Sequence, residues 1–394
     1  WWEPIVVDNM LNTSWWSGLM PGFMLLTIFV ITLAILRMAS DKLAFGNTRI
    51  PRAIDVAGGA IMGALSGVLT AGVLLLGNGF VDQTTAILGM QGWRAGDNGT
   101  IQWGDGDGAA KLWLPVDSWT VEVLEALSLA SMHPDLSGRP LARWNPELDR
   151  QAWLLRDRLK HKSQPQFTQM IQPPGSITVD RAYQYEASDG SDLWVVPMSF
   201  KKNGMDFGGA YLAMKSSHLR LVGDDETGKT HVYYPRFWGQ QINHRPEGEE
   251  ETIRQDVFFP FDSNAFMFDN RAREEAYRPV FNTPSGVTPR FLQVRGTRFD
   301  ITDLENVQDW EEFCSRAFVP DVSEIKPQRW GGDISTTVSM RGNLPRGASP
   351  SPDHIKGRVE IDEDSNRITR AEDIQINNSV KTKASSKLRI RGYG

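Results

Sequence analysis

Apolar residues crowd into two stretches near the start of the chain, Pro21–Leu36 and Ala53–Gly77, and the polar segment between them carries Arg37, Lys42, Arg49 and Arg52. A helix crossing hydrocarbon needs ~20 mostly apolar residues, because only the helix itself can satisfy its backbone amides there. The pattern predicts a transmembrane helical hairpin over 20–78. Residues 1–19 hold no Lys or Arg, so the excess of positive charge places the connecting loop in the cytoplasm and both hairpin ends outside. Arg37, Lys42, Arg49 and Arg52 thus determine topology, and everything after Gly77 is expected to be extracytoplasmic. Trp1, Trp2, Trp15 and Trp16 fit an aromatic segment at the outer headgroup layer over 1–19.

The two spans differ in character. The first is bulky, with Thr27 and Thr32 as its polar residues, and reads as an anchor. In the second, Gly59, Gly63, Gly67 and Ala71 recur every four residues and share one helical face, where missing side chains admit a neighbouring helix. That neighbour is either the hairpin partner or a helix of another subunit.

Beyond the spans the pattern changes three times. Gly92–Gly108, with Trp93 and Trp103 among Gly-Asp turns, reads as loop within a Gly/Asp-rich segment over 79–116. Asp105-Gly-Asp107-Gly lacks the twelve-residue calcium-loop spacing and its terminal Glu, so turn chemistry accounts for it. A helical spacer follows over 117–172: Val121, Leu124, Leu127 and Leu129 have helical spacing, and Asn145-Pro146-Glu147 opens a second helix reaching Lys160. After Gln172-Pro-Pro-Gly175 the period becomes strand-like, with candidate strands at Ser176–Glu186, Leu193–Lys201, Tyr211–Met214, Leu219–Val222, His231–Tyr234, Arg254–Phe259 and Phe291–Ile301. Short β-branched and aromatic runs between Gly and Asp turns predict a mainly antiparallel β-sandwich over 173–324. From Lys326 onward large hydrophobics thin out, and thirteen basic residues face eight acidic ones. Such composition cannot bury enough apolar surface to fold alone. It reads as an extended basic tail over 325–394 that orders on a partner, or as a small β-extension with weak strands at Arg358–Ile361, Ile374–Ile376 and Leu388–Arg391.

The run from Leu43 to Gly77, in which a basic loop leads through Asp55 into a helix with glycines at 58, 59, 63 and 67, resembles the last two helices of the colicin V production protein (CvpA) family. The resemblance covers roughly residues 20–78. It implies an inner-membrane protein tied to toxin production, without a common enzymatic chemistry. Members typically have four spans, which implies that two helices precede those seen here; no basic region with a small-residue cleavage site precedes the first span. Asp55 also has a plain structural use, complementing the dipole at a helix start. The strings Leu193-Trp-Val-Val-Pro-Met-Ser-Phe200, Asn203-Gly, Leu219-Arg-Leu-Val and Tyr233-Tyr-Pro look like a bacterial Ig-like extracytoplasmic domain, although the Cys and Trp markers of antibody-type domains are missing.

Charge and chemistry narrow the function. The chain has 394 residues, a net charge of -6 and one cysteine. The acidic balance argues against a nucleic-acid partner, and a lone Cys314 excludes an internal disulfide framework. Some proteins resembling the family carry a periplasmic serine protease, yet no Gly-x-Ser-x-Gly or Gly-Asp-Ser-Gly string occurs. The nearest, Asp189-Gly-Ser-Asp and Gly331-Gly-Asp-Ile-Ser335, lack the glycines around the nucleophile. His133, His161, His218, His231, His244 and His354 form no His-Glu-x-x-His pair and read as surface or strand-end residues. Gly223-Asp-Asp-Glu-Thr-Gly-Lys-Thr ends like a phosphate loop but sits between two strands, so it reads as a hairpin turn. No catalytic residue, metal site or cofactor is expected.

Tyr233, Tyr234, Arg236, Phe237 and Trp238 form the candidate partner-binding group, because planar rings bury large area at low entropy cost. The alternative assignment for these rings is core filling. The expected function is a non-enzymatic integral-membrane scaffold or accessory subunit, whose partners are the bilayer, other membrane subunits and an extracytoplasmic protein or glycan. A glycan- or ligand-binding module on an anchor, or an export component related to toxin production, is the alternative.

Overall fold

The computed structural model describes residues 19–43, 51–81, 92–96, 99–103, 112–130, 133, 139–156, 158, 168–173, 175–210, 212–244, 252–261, 267–269, 272–273, 275–301 and 303–319, and the strand segments 355–362, 367–376 and 380–382. The chain divides into two compact units: Trp1–Arg94 with Gln102–Asp157 and Thr230–Val232, and Ala95–Ile101 with Arg158–Lys229 and Tyr233–Gly394.

In the first unit, the two apolar stretches form α1 (Met20–Leu43, 24 residues) and α2 (Arg52–Gly79, 28 residues). At 1.5 Å per residue these are about 36 and 42 Å long, enough to cross ~30 Å of hydrocarbon. Only 6 % and 17 % of their most apolar windows are buried, unlike the core helix of a soluble domain. Phe23, Val30, Ile35, Ile54, Ile61 and Met62 are all exposed. The helices meet where α1 begins and α2 ends: Gly22 lies against the Gly77 carbonyl, and Gly77 leaves room for Leu26.

The same end of α2 carries the rest of this unit. Helix α3 (Val116–Leu129) brings Thr120 and the Val116 carbonyl onto Gly72, where any side chain would collide. Two short helices follow, α4 (Leu141–Trp144) and α5 (Leu148–Leu154), and Ala152 of α5 packs on Gly79. The expected single helix from Asn145 to Lys160 is therefore shorter. Glu147, in the left-handed conformation at φ 55°, starts a new helix after Pro146, and Leu155 caps it. Arg156 Nη1 donates to the Asn78 carbonyl at 2.7 Å, setting a cation at the negative end of the α2 dipole. Within the stretch read as loop, β1 (Trp93–Ala95) and β2 (Ile101–Trp103) pair as a short hairpin. Trp103 stands edge-on to Trp93 and Trp153, at 5.4 and 6.1 Å between ring centres.

Fourteen strands follow between 177 and 306: β3 (Ile177–Val179), β4 (Ala182–Glu186), β5 (Ser191–Val195), β6 (Met198–Phe200), β7 (Leu212–Met214), β8 (Leu219–Asp224), β9 (Thr230–Tyr233), β10 (Pro235–His244), β11 (Ile253–Pro260), β12 (Met267–Asp269), β13 (Pro279–Pro284), β14 (Thr288–Val294), β15 (Thr297–Asp300) and β16 (Leu304–Asn306). β3 pairs with β6 and β7 with β12, and the other ten build a six-stranded sheet in the order β11-β10-β13-β5-β4-β16 and a four-stranded sheet in the order β15-β14-β8-β9. One core joins them: Trp194, Trp238 and Phe281 from the larger sheet meet Leu219, Leu221, Leu292 and Val294 from the smaller. Within the larger sheet, β16 joins β4 in parallel while the other pairings are antiparallel. A helix, α6 (Trp310–Ala317), covers its outer face with Phe313, Cys314 and Ala317. Asp309 caps that helix by accepting from the Glu311 amide at 2.9 Å.

Three expected strands are each two. Asp180 and Arg181 separate β3 from β4, Val196-Pro197 separates β5 from β6, and Arg295-Gly296 turns β14 into β15. At that last turn φ is 45° and 82°, the two positive values that a tight hairpin matching strand twist requires. The expected hairpin at Gly223–Thr230 is present: Asp225 accepts from the Thr227 and Lys229 amides, and Gly228 has φ 77°.

The segment read as an extended tail contains an antiparallel three-stranded meander, β17 (Ile355–Asp362), β18 (Arg367–Ile376) and β19 (Val380–Thr382). Two of the three weak strands expected there fall within it. The third, Leu388–Arg391, lies outside the described residues, as do 1–18, Arg49 and the Asp105–Gly108 run.

Candidate membrane and partner-binding surfaces

The glycine face of α2 is open. A side-chain carbon built at Gly59, Gly63 or Gly67 meets no atom of the described chain within 4 Å, while one at Gly72, Gly77 or Gly79 meets α3, α1 or α5 at once. The glycines of this helix therefore fall into two classes: Gly72, Gly77 and Gly79 pack within the chain, and Gly59, Gly63 and Gly67 have no neighbour among the described residues. Ala71, half-buried, lies at the border. Of the four cations expected to determine topology, Arg37 and Lys42 stand in the last two turns of α1 and Arg52 opens α2. Arg37 reaches Asp41 at 3.2 Å, an exposed pair that leaves the positive excess of this end in place. Asp55 falls in the first turn of α2, where a carboxylate complements the dipole.

The candidate aromatic group is resolved mainly as core. Successive residues of β10 point to opposite faces of the sheet. Trp238 enters the inter-sheet core, opposite Phe259 of β11, and is 2 % exposed. Phe237 turns the other way, toward α6, where it packs with Phe258 at 6.2 Å between ring centres. Tyr234 is buried and Tyr233 half-buried against the core. Neither Trp238 nor Tyr234 can offer a ring to a partner. Arg236 is exposed, with its guanidinium 5.8 Å from the Phe237 ring centre.

A different set of rings reaches the surface. Trp310 at the start of α6 is 42 % exposed, stacks on Phe313 at 5.8 Å, and meets Tyr185 at 5.1 Å and Phe258 at 5.9 Å with tilted rings. These residues come from β4, β11 and α6, so no local run of sequence announces them. A surface cavity of about 390 Å³, open to solvent, lies beside the ends of β4 and β16 and is lined by Glu186, Ser188, Asn306 and Gln308.

Polar groups of the sandwich serve its own structure. Asp206 and Arg295, both wholly buried, form a two-pronged ion pair at 2.9 and 2.6 Å. Asp206 also accepts from the Gln169 and Ala213 amides. His218, read as a surface or strand-end residue, precedes β8 but is 2 % exposed, and its Nδ1 accepts from the Lys215 amide. The Ser191 hydroxyl donates to Asp189 inside the β4–β5 turn, which gives the protease-like string a turn-forming role. Burial, with Asp256 and Glu311 nearby, pushes the Cys314 thiol up to about 11, so it is not an activated nucleophile. Among the described residues no group of three or more His, Cys, Asp or Glu is placed to hold a metal ion.

Comparison with protein-family models, curated proteins and solved structures found no match for this chain.

Proposed function

We propose that the chain is a non-enzymatic scaffold or accessory subunit of a larger membrane complex, related to the colicin V production protein family. Its helix connection would face the cytoplasm of the inner membrane and its Ig-like sandwich the other side. The observation that carries this reading is the unfilled glycine face at Gly59, Gly63 and Gly67. Small residues in register exist to let backbones touch, and association of membrane helices relies on that close packing because lipid gives apolar side chains no reason to leave it. Leucine at Gly63 or Gly67 would hold a neighbouring helix away. Native purification of Gly63→Leu and Gly67→Leu is expected to yield a smaller assembly than the parent protein. An unchanged mass for both variants would overturn the scaffold.

One observation favours a second reading, an extracytoplasmic glycan- or ligand-binding module. The exposed Trp310 ring, propped by Tyr185 and Phe258, has the form of a stacking platform. Titration with oligosaccharides, following tryptophan emission in Trp310→Ala against the parent, separates the two.

A further inference from the structure

Helix α3 has its polarity inside out. The face turned into the first unit carries Asp117, Thr120 and Ser128 beside Val121, all buried, whereas the face turned outward carries Trp119, Val123, Ala126 and Leu129. Trp113 and Leu114, just before the helix, are 92 % and 41 % exposed. A surface helix in water shows the opposite arrangement, apolar inward and polar outward.

Apart from the Thr120 hydroxyl, which has no hydrogen-bond partner among the described residues, the buried polar groups are provided for. The Trp153 indole donates to Asp117 at 3.3 Å, Ser118 donates to Asp149 at 2.7 Å, Ser128 donates to the Glu125 carbonyl at 2.7 Å, and Glu125 accepts from the Glu147 amide at 3.0 Å. What requires an explanation is the outward apolar face. Its position along α2 supplies one. Gly72, on which Thr120 sits, is twenty residues after Arg52, and twenty residues of helix rise ~30 Å, the thickness of the hydrocarbon. With Arg52 in one headgroup layer, the α2–α3 contact falls at the opposite hydrocarbon boundary. Leu65, two turns before Gly72 and on the same face of α2, is 56 % exposed, so an apolar surface leads up to the contact with α3.

We propose that α3 lies in the headgroup layer at the end of α2 remote from the basic connection, with Trp113, Leu114, Trp119, Val123 and Leu129 dipping into phospholipid. Indole rings favour this depth, and amphipathic helices in the interface sink their apolar face ~5–10 Å into the headgroup and acyl boundary. Glu122 shares the outward face and sets the limit, since its carboxylate must stay among headgroups rather than in hydrocarbon. That charge, with no Lys or Arg in α3, makes the contact one with neutral lipid. This inference rests on the membrane reading of α1 and α2.

The test uses the full chain with Cys314→Ala, reconstituted in phosphatidylcholine vesicles. Nitroxide is placed singly at Val123→Cys, Ala126→Cys, Ile61→Cys in the outward flank of α2, and Thr227→Cys in the exposed β8–β9 turn. Collision rates with oxygen, which concentrates in lipid, and with a water-soluble nickel chelate are compared. The oxygen-to-nickel ratio at 123 and 126 should exceed that at 227 several-fold and approach that at 61. Positions 123 and 126 matching 227, or shielded from both reagents as by a protein neighbour, would overturn the proposal while a lipid-like 61 leaves the anchor standing. An aqueous ratio at 61 would overturn both.

Discussion

Asp206 and Arg295 meet with no exposed surface on either side chain, and their two-pronged geometry fixes the β6–β7 connection, which carries Asp206, to the β14–β15 turn. A buried pair adds little net stability when complete, because desolvating two charges offsets their attraction. Removing one partner leaves the other charge buried and unpaired, at a cost of ~3–5 kcal/mol. Asp206→Ala should therefore lower the unfolding free energy of the sandwich, read from urea titration, by an amount of that order, and a variant unfolding within ~1 kcal/mol of the parent would contradict the role given to the pair. Asp117 is a different case. Desolvation by burial raises its carboxyl above the usual carboxylate range, against the hydrogen bond from Trp153. Ionising it costs the folded state more than the unfolded chain, so this residue favours folding most below the unfolded pKa and progressively less as pH rises through the folded value. Asp117→Asn should melt higher than the parent at neutral pH in detergent, with the difference closing on acidification. A gap independent of pH would show that the carboxyl charge is not its source.

At the scale of elements, the two classes of glycine in α2 make opposite predictions. Gly72→Leu collides with Thr120 and Val116 and should release α3, read as faster proteolysis within 112–130 in the purified chain. Gly63→Leu has open space around it and should leave that digestion pattern unchanged. The hairpin was legible in sequence because a membrane span is a long signal of one kind. The strands were legible where short apolar, β-branched or aromatic runs stand out, as in β8 and β11. They were not where polar or constrained residues interrupt the run. β10 carries Pro235, Gly239, Gln240 and Gln241, and β13 is bounded by Pro279 and Pro284. α6 spans only eight residues, about two turns, too few for a helical period to stand out. The aromatic run 233–238 left core filling and partner binding both open for a related reason: sequence shows that rings are adjacent, while pairing decides which face each one takes. Trp238 went to the core and Trp310, seventy-two positions further on, became the exposed ring.

For the whole molecule the expectation is that both helix ends near Arg37 and Arg52 share one side and the sandwich the other. Cysteine placed at Ser40, in the last turns of α1, should resist a membrane-impermeant maleimide in intact cells, and cysteine at Thr227 should react. The native thiol will not confuse the readout, since Cys314 is buried and its ionisation is pushed up to about 11. Labelling at 40 with protection at 227 would invert the topology and move the positive excess to the wrong side of the membrane.

The parallel pairing of β16 with β4 also dictates an order of events during synthesis. Arg181, beside β4, is gripped by Asp303 and Glu305 at 2.7 and 2.6 Å, and Arg181 and Asp303 are 122 positions apart. The β4–β5 hairpin can close as soon as residue 195 emerges, but the outer edge of β4 has no partner until 304–306 arrive. At 5–20 residues per second that delay is about 5–22 s. For that interval the nascent sheet presents a bare strand edge to any other chain nearby, so the last strand of the sandwich is also the one that ends its exposure to misassembly.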